Sequence, residues 1–522
     1  MTAEKSPNRL RISIVDLTFI IWVLVIPIAF GSRLLNVDGD LPRHLTMGEF
    51  VLEGGLDGID TFAYTKTGPY EGMEWLSQVV FALVHRAGGL AAVAILAGIV
   101  IATAIALVVL VMRRAGVHPL LAYLAGTLAA VGASVHWVPR PHIFTFAFLP
   151  LLLLLLESSL PRRRMWVFVP FFALWANLHG MFILGLAMLG VWSAGALVEA
   201  WRATGEDRRN WLGRAEYGGV AIGLGIAGAL INPHFWRVFA GVTSCLGDGF
   251  IFQNTAEFQS LSFQSLYGRL VLIGLLAIMA LLAINRERLS LPRLFLVLFM
   301  LAGGLTSVRM MPLFALVGVP LLAIEFDGMW RRLNPGRRLA DARQVFEAGE
   351  SIARPGWYAP LFAVLMLALV PVRGNVGGVQ LVPDRFDPEF FPVEAVAYAR
   401  SNDVQGRIFN EFIWGGYLLY AWPEQRIFID GMTCFLGSEV MRSYMKILSL
   451  DPGWQEDMQR WGMTLVLVEP DTRLPAALLD SGDWAVLHED ETAILLERQK
   501  AWDVAVMTPD DRTVLGTGEA AQ

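Results

Sequence analysis

The chain has 522 residues, of which 55% are hydrophobic and 17% charged, and its formal net charge is −6. Its mean hydropathy of +0.52 is higher than a water-soluble domain can carry on its surface, so much of this apolar surface must face lipid. The composition therefore excludes a wholly soluble protein, and we expect no nucleic-acid partner.

Apolar blocks of about 20 residues, the length that crosses a hydrocarbon core of about 30 Å, recur along the chain. Basic clusters follow every second block, which is the pattern of membrane proteins whose basic loops stay in the cytoplasm. We predict a polytopic α-helical membrane protein with about eleven transmembrane helices. The predicted spans are 13–32, 90–112, 118–138, 142–158, 165–178, 181–201, 216–233, 268–285, 291–306, 309–326 and 357–373.

An odd number of spans places the amino terminus in the cytoplasm and the carboxyl terminus outside. Residues 1–12 are then a cytoplasmic tail and residues 13–373 the transmembrane domain. No small-residue cleavage site follows Phe30, so we interpret the first span as an uncleaved anchor.

Two extracytoplasmic loops are unusually long, 33–89 and 234–267. The first is expected to hold short helices. It includes the amphipathic stretch 75–84, which is too short to cross a bilayer and is expected at the interface or folded back into the bundle.

Beyond residue 373 the composition becomes that of a soluble protein, and we predict a small extracytoplasmic α/β domain over 374–522. Strands are predicted at 407–410, 426–430, 464–468, 484–488 and 493–497, helices at 393–400 and 439–448, and a hairpin turn at 488–492.

The chain has two cysteines, Cys245 and Cys434, and the predicted topology places both outside. An oxidising compartment permits a disulfide between them, but two unpaired thiols are the interpretation that we favour.

Ionisable side chains are costly at membrane depth, and here they gather at the predicted outside ends of the spans. Loops from separate hairpins can therefore converge on one outward-facing cavity. Carboxylates beside cations suit group transfer from a phosphate, because a carboxylate can accept the acceptor's proton while arginine holds the phosphate. The alternative is that lipid headgroups or other side chains satisfy these residues. The residues are Asp38, Asp40, His44, Arg140, His142, Asn177, His179, His234, Glu257 and Arg309.

Several motifs carry a resemblance to a known class. The run D-G-D-L-P-R-H-L-T-M-G-E-F-V-L-E-G-G from Asp38, with D-T-F-A-Y-T (60–65) and E-W-L (74–76), resembles the first extracytoplasmic loop of bacterial integral-membrane glycosyltransferases of the GT-C class. Later motifs, at 174–180, 231–234 and 309–314, resemble one poorly characterised branch of that class. The chain departs from the branch at Pro42 and Arg43, where aromatic residues are more usual.

The resemblance implies a GT-C fold and a polyprenyl phosphate derivative as the sugar donor. It also implies that an aspartate of the first outside loop acts as general base or as a metal-linked contact to the acceptor. The catalytic candidates are Asp38, Asp40 and His44. The remaining members of the gathered set are candidates for substrate binding, with Arg140 and Arg309 assigned to the donor phosphate.

Five further residues are candidates for acceptor binding or for a structural role: Glu74, Trp75, Glu411, Trp414 and Tyr417. The last three lie in G-R-I-F-N-E-F-I-W-G-G-Y-L (406–418), which resembles the same branch and, faintly, the element with which oligosaccharyltransferases read a peptide. That element's consecutive tryptophans and its aspartate are missing, so peptide recognition does not follow.

The predicted function is that of an inverting glycosyltransferase in a bacterial cytoplasmic (inner) membrane, which moves a sugar from a polyprenyl phosphate carrier to a glycan, lipid or protein acceptor. No cofactor is certain; a divalent metal is compatible with the pattern, but its ligands are unknown. One alternative is a transporter or flippase for a lipid-linked or anionic solute. The hydropathy shows no inverted repeat and the polar residues crowd one face, which both disfavour transport. The other is a non-catalytic membrane scaffold, which would leave Asp38 to His44 without a role.

Overall fold

The computed structural model describes residues 12–69, 72–158, 160–241, 248–284, 289–332, 344, 347–348, 350, 356, 358–368, 374–376 and 378–502. These residues form a helical part, up to residue 368, and a carboxyl-terminal domain with a four-stranded sheet. Nearly all of the predicted tail 1–12, Cys245 and the predicted end of the last span at 369–373 lie outside the described residues.

The helical part begins with a long helix and a short one, between which the first candidate site residues lie. Short 3₁₀ helices occur at Gly55–Asp57, Ser134–His136, Arg162–Val167, Ala256–Phe258 and Val308–Met310. Strands β1 (Ile59–Asp60) and β2 (Gly68–Pro69) pair antiparallel. The helices are α1 (Ile14–Asn36), α2 (Asp40–Leu52), α3 (Trp75–Arg114), α4 (Pro119–Ala133), α5 (His142–Ser158), α6 (Phe168–Leu178), α7 (Phe182–Arg202), α8 (Gly205–Ala229), α9 (Gly249–Asn254), α10 (Leu266–Ile284), α11 (Leu291–Thr306), α12 (Met311–Arg332) and α13 (Tyr358–Ala368).

Each of the eleven predicted spans overlaps a helix of the structure, which confirms a mostly helical membrane protein. Within the described residues, five helices are both long and apolar enough to cross a bilayer, so the count of eleven spans stays a prediction. The five are Ile14–Asn36, Trp75–Arg114, Pro119–His136, Phe182–Arg202 and Val308–Met329.

The outer surface of the helical part is apolar where it must meet lipid. On α10, for example, Leu270, Ile273 and Met279 are more than half exposed. Such a surface is unfavourable in water but suits lipid tails. The packed interior is formed by contacts of α1 with α3, α4 with α12, α6 with α8 and α7 with α8.

The predicted amphipathic stretch 75–84 is the first part of α3. Backbone angles leave the helical region at Gly88 and Gly89, so α3 breaks before its apolar part begins. The carboxylate of Asp384 accepts a hydrogen bond of 3.0 Å from the backbone N–H of Ala91, just after this break. Because the first part packs against α2 and its Phe81 is buried, the stretch is folded back into the bundle.

The carboxyl-terminal domain holds a mixed sheet of order β5-β6-β8-β7, in which β5 and β6 are parallel and the other neighbours antiparallel. Hairpin β3 (Asn375–Val376) and β4 (Val379–Gln380) precedes it. The remaining elements are α14 (Val393–Ser401), β5 (Ile408–Asn410), α15 (Gly415–Ala421), α16 (Thr433–Leu436), α17 (Ser438–Ser449), α18 (Trp454–Arg460), β6 (Leu465–Val468), α19 (Arg473–Asp480), β7 (Trp484–Glu489) and β8 (Ile494–Arg498).

Two expectations for this domain are wrong. The run 426–430 is not a strand of the sheet; Ile427 instead forms an isolated parallel bridge with Ala63 of the first long loop. The run has the apolar centre of a strand, but the backbone of Ile427 is hydrogen-bonded to Phe62 and Tyr64 of that loop instead of to the sheet. Cys434 is disulfide-bonded, so the preference for unpaired thiols was also wrong.

Candidate active site

Asp38 and Asp40 lie at the turn between α1 and α2. Asp38 precedes the helix, and its carboxylate accepts a hydrogen bond of 2.8 Å from the backbone N–H of Asp40, which is the first residue of α2. A helix amino terminus carries a partial positive charge and unpaired N–H groups, so carboxylates are favoured there. The local fold therefore holds two carboxylates side by side at one end of the bundle.

Arg140 connects these carboxylates to a third one. Its Nη1 lies 2.9 Å from Asp38 Oδ2 and 2.8 Å from Glu257 Oε1, and its Nη2 lies 3.0 Å from Asp40 Oδ2. Arg140 precedes α5, and Glu257 lies in the 3₁₀ helix Ala256–Phe258. One guanidinium thus joins three chain segments that are far apart in sequence.

Glu257 has a second arginine partner. Arg309, from the 3₁₀ helix between α11 and α12, places its Nη1 3.3 Å from Glu257 Oε2. Its guanidinium also lies 5.7 Å from the centre of the Phe258 ring. His136 Nε2 lies 3.6 Å from Glu257 Oε1. We call Asp38, Asp40, Glu257, Arg140 and Arg309 the arginine–carboxylate cluster.

The pKa values of two carboxylates in this cluster are shifted in opposite directions. Burial, together with the charges of Asp38 and Glu257, raises the pKa of Asp40 to about 6, although Arg140 opposes the shift. Burial also acts to raise the pKa of Glu257, but the nearby His136 imidazole and the charges of Arg140 and Arg309 outweigh it and lower the pKa. Glu257 therefore stays ionised, while Asp40 can gain or lose a proton near neutral pH.

A second acid–imidazole pair lies next to the cluster. His179 Nε2 lies 3.3 Å from Glu74 Oε1, at the start of α3. Thr145 Oγ1 accepts a hydrogen bond of 2.8 Å from Trp175 Nε1 and lies 2.8 Å from His179 Nδ1. Since Thr145 accepts from the indole, its own hydroxyl hydrogen is available for Nδ1, and in that tautomer His179 carries its proton on Nε2, facing Glu74.

The carboxyl of Glu74 is also electrostatically coupled to the cluster. Burial raises its pKa to about 7, although the charges of Arg309 and Arg140 act in the opposite direction. Glu74, assigned by sequence to acceptor binding or structure, is therefore a second group that can exchange a proton near neutral pH.

The remaining sequence candidates lie in the helical part, but their contacts are with other groups. His44 Nδ1 lies 3.4 Å from Gln78 Nε2, and His142 Nε2 lies 2.8 Å from the backbone oxygen of His136. His234 Nε2 lies 3.3 Å from the backbone oxygen of Gly72.

Trp75 and Asn177 contact each other. The indole of Trp75 donates a hydrogen bond of 2.8 Å to Asn177 Oδ1, and the Asn177 amide donates to the backbone oxygens of Ala173 and Ile231. These bonds fix the position of α3 relative to the ends of α6 and α8.

The three candidates of the carboxyl-terminal domain pack inside that domain. Tyr444 donates a hydrogen bond of 2.5 Å to the Glu411 carboxylate, and Trp414 Nε1 donates one of 2.9 Å to the backbone oxygen of Phe390. Tyr417 packs against Phe391. Their role, acceptor binding or structural, stays a prediction.

Sequence reasoning missed a buried ion pair that attaches the carboxyl-terminal domain to the site. Arg43 Nε lies 2.6 Å from Asp430 Oδ2, and Arg43 Nη2 lies 3.9 Å from Asp60. The departure from the branch pattern at Arg43, together with the acidic residue of the motif 426–432, was the available signal.

The same contact brings the domain against Asp40. A Cβ at Gly431 would lie 2.0 Å from Asp40 Oδ1, so a larger residue there would have to displace the Asp40 carboxylate. Gly431 and Asp430 therefore form one wall of the candidate site.

His136 was a further residue that sequence reasoning did not single out, because it falls inside the predicted span 118–138.

No protein-family model matches the chain, and no curated protein matches its sequence. Among solved structures, the Archaeoglobus fulgidus oligosaccharyltransferase in the apo form is similar, with a TM-score of 0.53 and 12% identity over 87% of this chain and 69% of that one. Archaeal oligosaccharyltransferase AglB from Archaeoglobus fulgidus, in complex with an inhibitory peptide and a dolichol-phosphate, gives 0.55 and 12% over 87% and 68%.

ArnT from Cupriavidus metallidurans bound to undecaprenyl phosphate gives a TM-score of 0.46 and 13% identity over 92% of this chain and 97% of that one. At such identities a likeness shows the fold alone. The two oligosaccharyltransferase comparisons cover both the helical part and the carboxyl-terminal domain. The chain therefore has the GT-C fold that its sequence motifs predicted.

Proposed function

We propose that the protein is a GT-C glycosyltransferase that moves a sugar from a polyprenyl phosphate carrier to an acceptor at the outer face of a bacterial cytoplasmic membrane. The observation that carries this proposal is the arginine–carboxylate cluster, where Asp40, a carboxylate that can exchange a proton, pairs with Arg140, and Arg309 pairs with the neighbouring Glu257. The dolichol-phosphate in the AglB structure supports a lipid phosphate as the donor's carrier.

In the proposed reaction Asp40 is the general base. Its carboxylate takes the proton of the acceptor hydroxyl, whose oxygen forms a bond to the anomeric carbon. The bond from that carbon to the phosphate oxygen breaks, and the lipid phosphate leaves with the electron pair, which inverts the anomeric centre. A base whose pKa of about 6 lies close to the working pH is well suited to this step.

Arg309 is the first choice for the leaving phosphate. Its ion pair with Glu257 uses one edge of a planar group that has five N–H donors, and guanidinium stays charged in a site of low dielectric. Arg140 is already shared among three carboxylates. The Glu74–His179 pair is the proposed contact for the acceptor or for the sugar hydroxyl groups.

The donor set does not offer a simple divalent metal site at the cluster. Within the described part of the chain, the group of three donor side chains whose ligand atoms all lie within 4.8 Å of one another is Glu394, His488 and Asp490, in the carboxyl-terminal domain. At the cluster the space among the carboxylates is filled by a guanidinium. We therefore derive no step through a metal.

The test is a transfer assay with purified protein in nanodiscs and a panel of polyprenyl-phosphate-linked sugars, with release of the free polyprenyl phosphate as the readout. Asp40→Asn should lower turnover by about 100-fold or more, the contribution of a general base, and should leave the thermal unfolding temperature near that of the wild type. Asp38→Asn, two residues away in the turn before α2, is the matched comparison.

Full activity in both single variants and in the double variant would remove these aspartates from the mechanism. If the wild type releases no lipid phosphate from any donor but moves a lipid-linked sugar across the bilayer of proteoliposomes, the transporter alternative is correct. If neither happens, the scaffold alternative remains and the proposal fails.

A further inference from the structure

The arginine–carboxylate cluster has the composition of a divalent cation site. Three carboxylates from two chain segments surround one guanidinium, and oxygen-only donor sets of this kind are the usual ligands of Mg²⁺ and Mn²⁺. The resemblance to GT-C enzymes implies an aspartate that acts either as general base or as a metal-linked contact to the acceptor. The position among the carboxylates is nevertheless taken by the side chain of Arg140.

Arg140 forms hydrogen-bonded ion pairs with Asp38 and Glu257 and an ion pair with Asp40. The three N···O distances are 2.8, 2.9 and 3.0 Å, which is the range of charge-assisted hydrogen bonds. Oxygen ligands of Mg²⁺ or Ca²⁺ lie much closer, at about 2.0 to 2.6 Å from the ion. The carboxylates would have to move towards one another before they could share a metal.

The electrostatics also favour the guanidinium over a second cation. The neighbouring charges of Asp40, Asp38 and Glu257 outweigh the effect of burial and raise the pKa of Arg140 well above its usual value, so it stays charged. A divalent ion at the same place would meet both Arg140 and Arg309, which faces Glu257 from the other side. Repulsion between cations a few ångströms apart opposes its entry.

From this arrangement we infer that Arg140 is the resident cation of the site, in the position that a divalent metal would need, and that the wild-type protein binds no metal there. Arg140 gathers Asp38, Asp40 and Glu257 and compensates part of their charge. This inference deepens the proposed function and rests on it for the statement that the cluster is the active site. The claim that Arg140 occupies the cation position depends on the geometry alone.

The inference makes an unusual prediction, namely that removing an arginine creates a metal site. Arg140→Ala leaves three carboxylates around the volume that the guanidinium filled, with Arg309 as the remaining nearby arginine of the cluster. Acidic side chains without their cation repel one another, and a divalent ion relieves that repulsion. Arg309→Ala is the matched control, because it also removes one arginine from Glu257 but leaves Arg140 among the carboxylates.

The experiment is titration of purified protein in detergent with Mn²⁺ at neutral pH, followed by the electron paramagnetic resonance signal of the free ion. Wild type and Arg309→Ala should show no Mn²⁺ binding that depends on Glu257. Arg140→Ala should bind about one Mn²⁺ per chain, whereas the wild type should show no such binding even at about tenfold higher free Mn²⁺, and Arg140→Ala/Glu257→Gln should lose the binding. Binding that Glu257→Gln leaves unchanged belongs elsewhere, for example to Glu394, His488 and Asp490.

One Mn²⁺ bound by the wild type and lost in Glu257→Gln would overturn the inference, and this measurement needs no change at Arg140. So would a folded Arg140→Ala that binds no Mn²⁺. If Arg140→Ala does not fold, Arg140→Gln, which keeps much of the side chain without its charge, takes its place. Sugar transfer is measured separately. A wild type that is active only with Mn²⁺ would support the proposed function but refute the inference. An inactive wild type with the expected Mn²⁺ pattern would support the inference but refute the proposed function.

Discussion

Two arginine–carboxylate groups lie at opposite ends of the same three helices. Arg140 precedes α5 and Arg309 lies between α11 and α12, whereas Glu157, Arg293 and Glu325 lie at the other ends of α5, α11 and α12. We call this second group the Arg293 clamp. The comparison is useful because the two groups use the same residue types in the same bundle and differ in how the carboxylates are satisfied.

In the Arg293 clamp the arginine is matched to its partners. Its Nε and Nη2 lie 3.0 and 2.9 Å from the two oxygens of Glu157, and its Nη1 lies 3.0 Å from Glu325 Oε1. The contact to Glu157 is bidentate, which is the strongest form of this ion pair. Arg140 instead contacts one oxygen of each of three carboxylates. A bidentate ion pair such as Arg293–Glu157 stabilises the packing of helices. A carboxylate that gives Arg140 only one oxygen keeps its second oxygen for another partner.

The largest expected effect concerns which end of the bundle is outside. The basic clusters of the sequence predict that reporter fusions after Arg164 and after Arg288 read cytoplasmic, while a fusion after Gly378 reads extracytoplasmic. Alkaline phosphatase and fluorescent-protein fusions give all-or-none answers. A cytoplasmic reading at Gly378 would place the arginine–carboxylate cluster inside the cell and exclude a reaction at the outer face.

Removal of one carboxylate from the Arg293 clamp should affect stability more than activity. Glu157→Gln breaks the bidentate ion pair and leaves Arg293 only partly compensated, so we expect a loss of about 1 to 3 kcal/mol in the free energy of unfolding. Turnover per folded molecule should stay near that of the wild type. The measurement is thermal unfolding in detergent together with the transfer assay.

A matched control for the clamp is Glu216→Gln, which removes a carboxylate from the exposed pair of Arg162 and Glu216. Solvent screens such pairs, so its unfolding temperature should hardly change. Equal destabilisation by Glu157→Gln and Glu216→Gln would mean that the clamp has no special structural role.

The cluster, in contrast to the clamp, should make activity depend on pH near 6. Burial raises the pKa of Asp40 to about 6, so the carboxylate that acts as base is lost as the pH falls through this value. Turnover should decline about tenfold for each unit below it and be nearly constant above it. The pH profile of kcat/KM checks this, with thermal unfolding at each pH to show that the fold persists. A flat profile down to pH 5 would contradict a base with this raised pKa.

The comparison also shows what a sequence can and cannot predict here. Hydropathy is a local property, so it predicts the positions of the helices. The predicted topology then indicates that residues at span ends on the same side of the membrane can lie together. Asp38, Arg140 and Glu257 meet for this reason. Arg43 and Asp430 are 387 residues apart, and their contact depends on how the carboxyl-terminal domain docks, which no periodicity encodes. The strand predicted at 426–430 is absent from the sheet because of the same domain contact: Ile427 is buried against the first long loop.

The smallest expected effect separates the two arginines of the cluster. Arg309 has a single ion pair at 3.3 Å and its side chain is 26% exposed, whereas Arg140 is 15% exposed and is held by three carboxylates. Arg309 is therefore better placed to give donors to a phosphate. Lysine keeps the charge but loses the planar fork, so Arg309→Lys should weaken binding of a polyprenyl phosphate by about 1 to 1.5 kcal/mol, roughly 5- to 12-fold.

Arg140→Lys should change this affinity less, because its charge is already shared among Asp38, Asp40 and Glu257. Its effect should be seen instead in turnover, since a lysine cannot hold three carboxylates with one planar group. Binding of polyprenyl phosphate to the wild type and to both variants, measured at several salt concentrations, decides between these roles. Equal affinity in all three proteins would remove both arginines from the donor site, and a larger loss in Arg140→Lys would assign the phosphate to Arg140, leaving Arg309 as the partner that keeps Glu257 ionised.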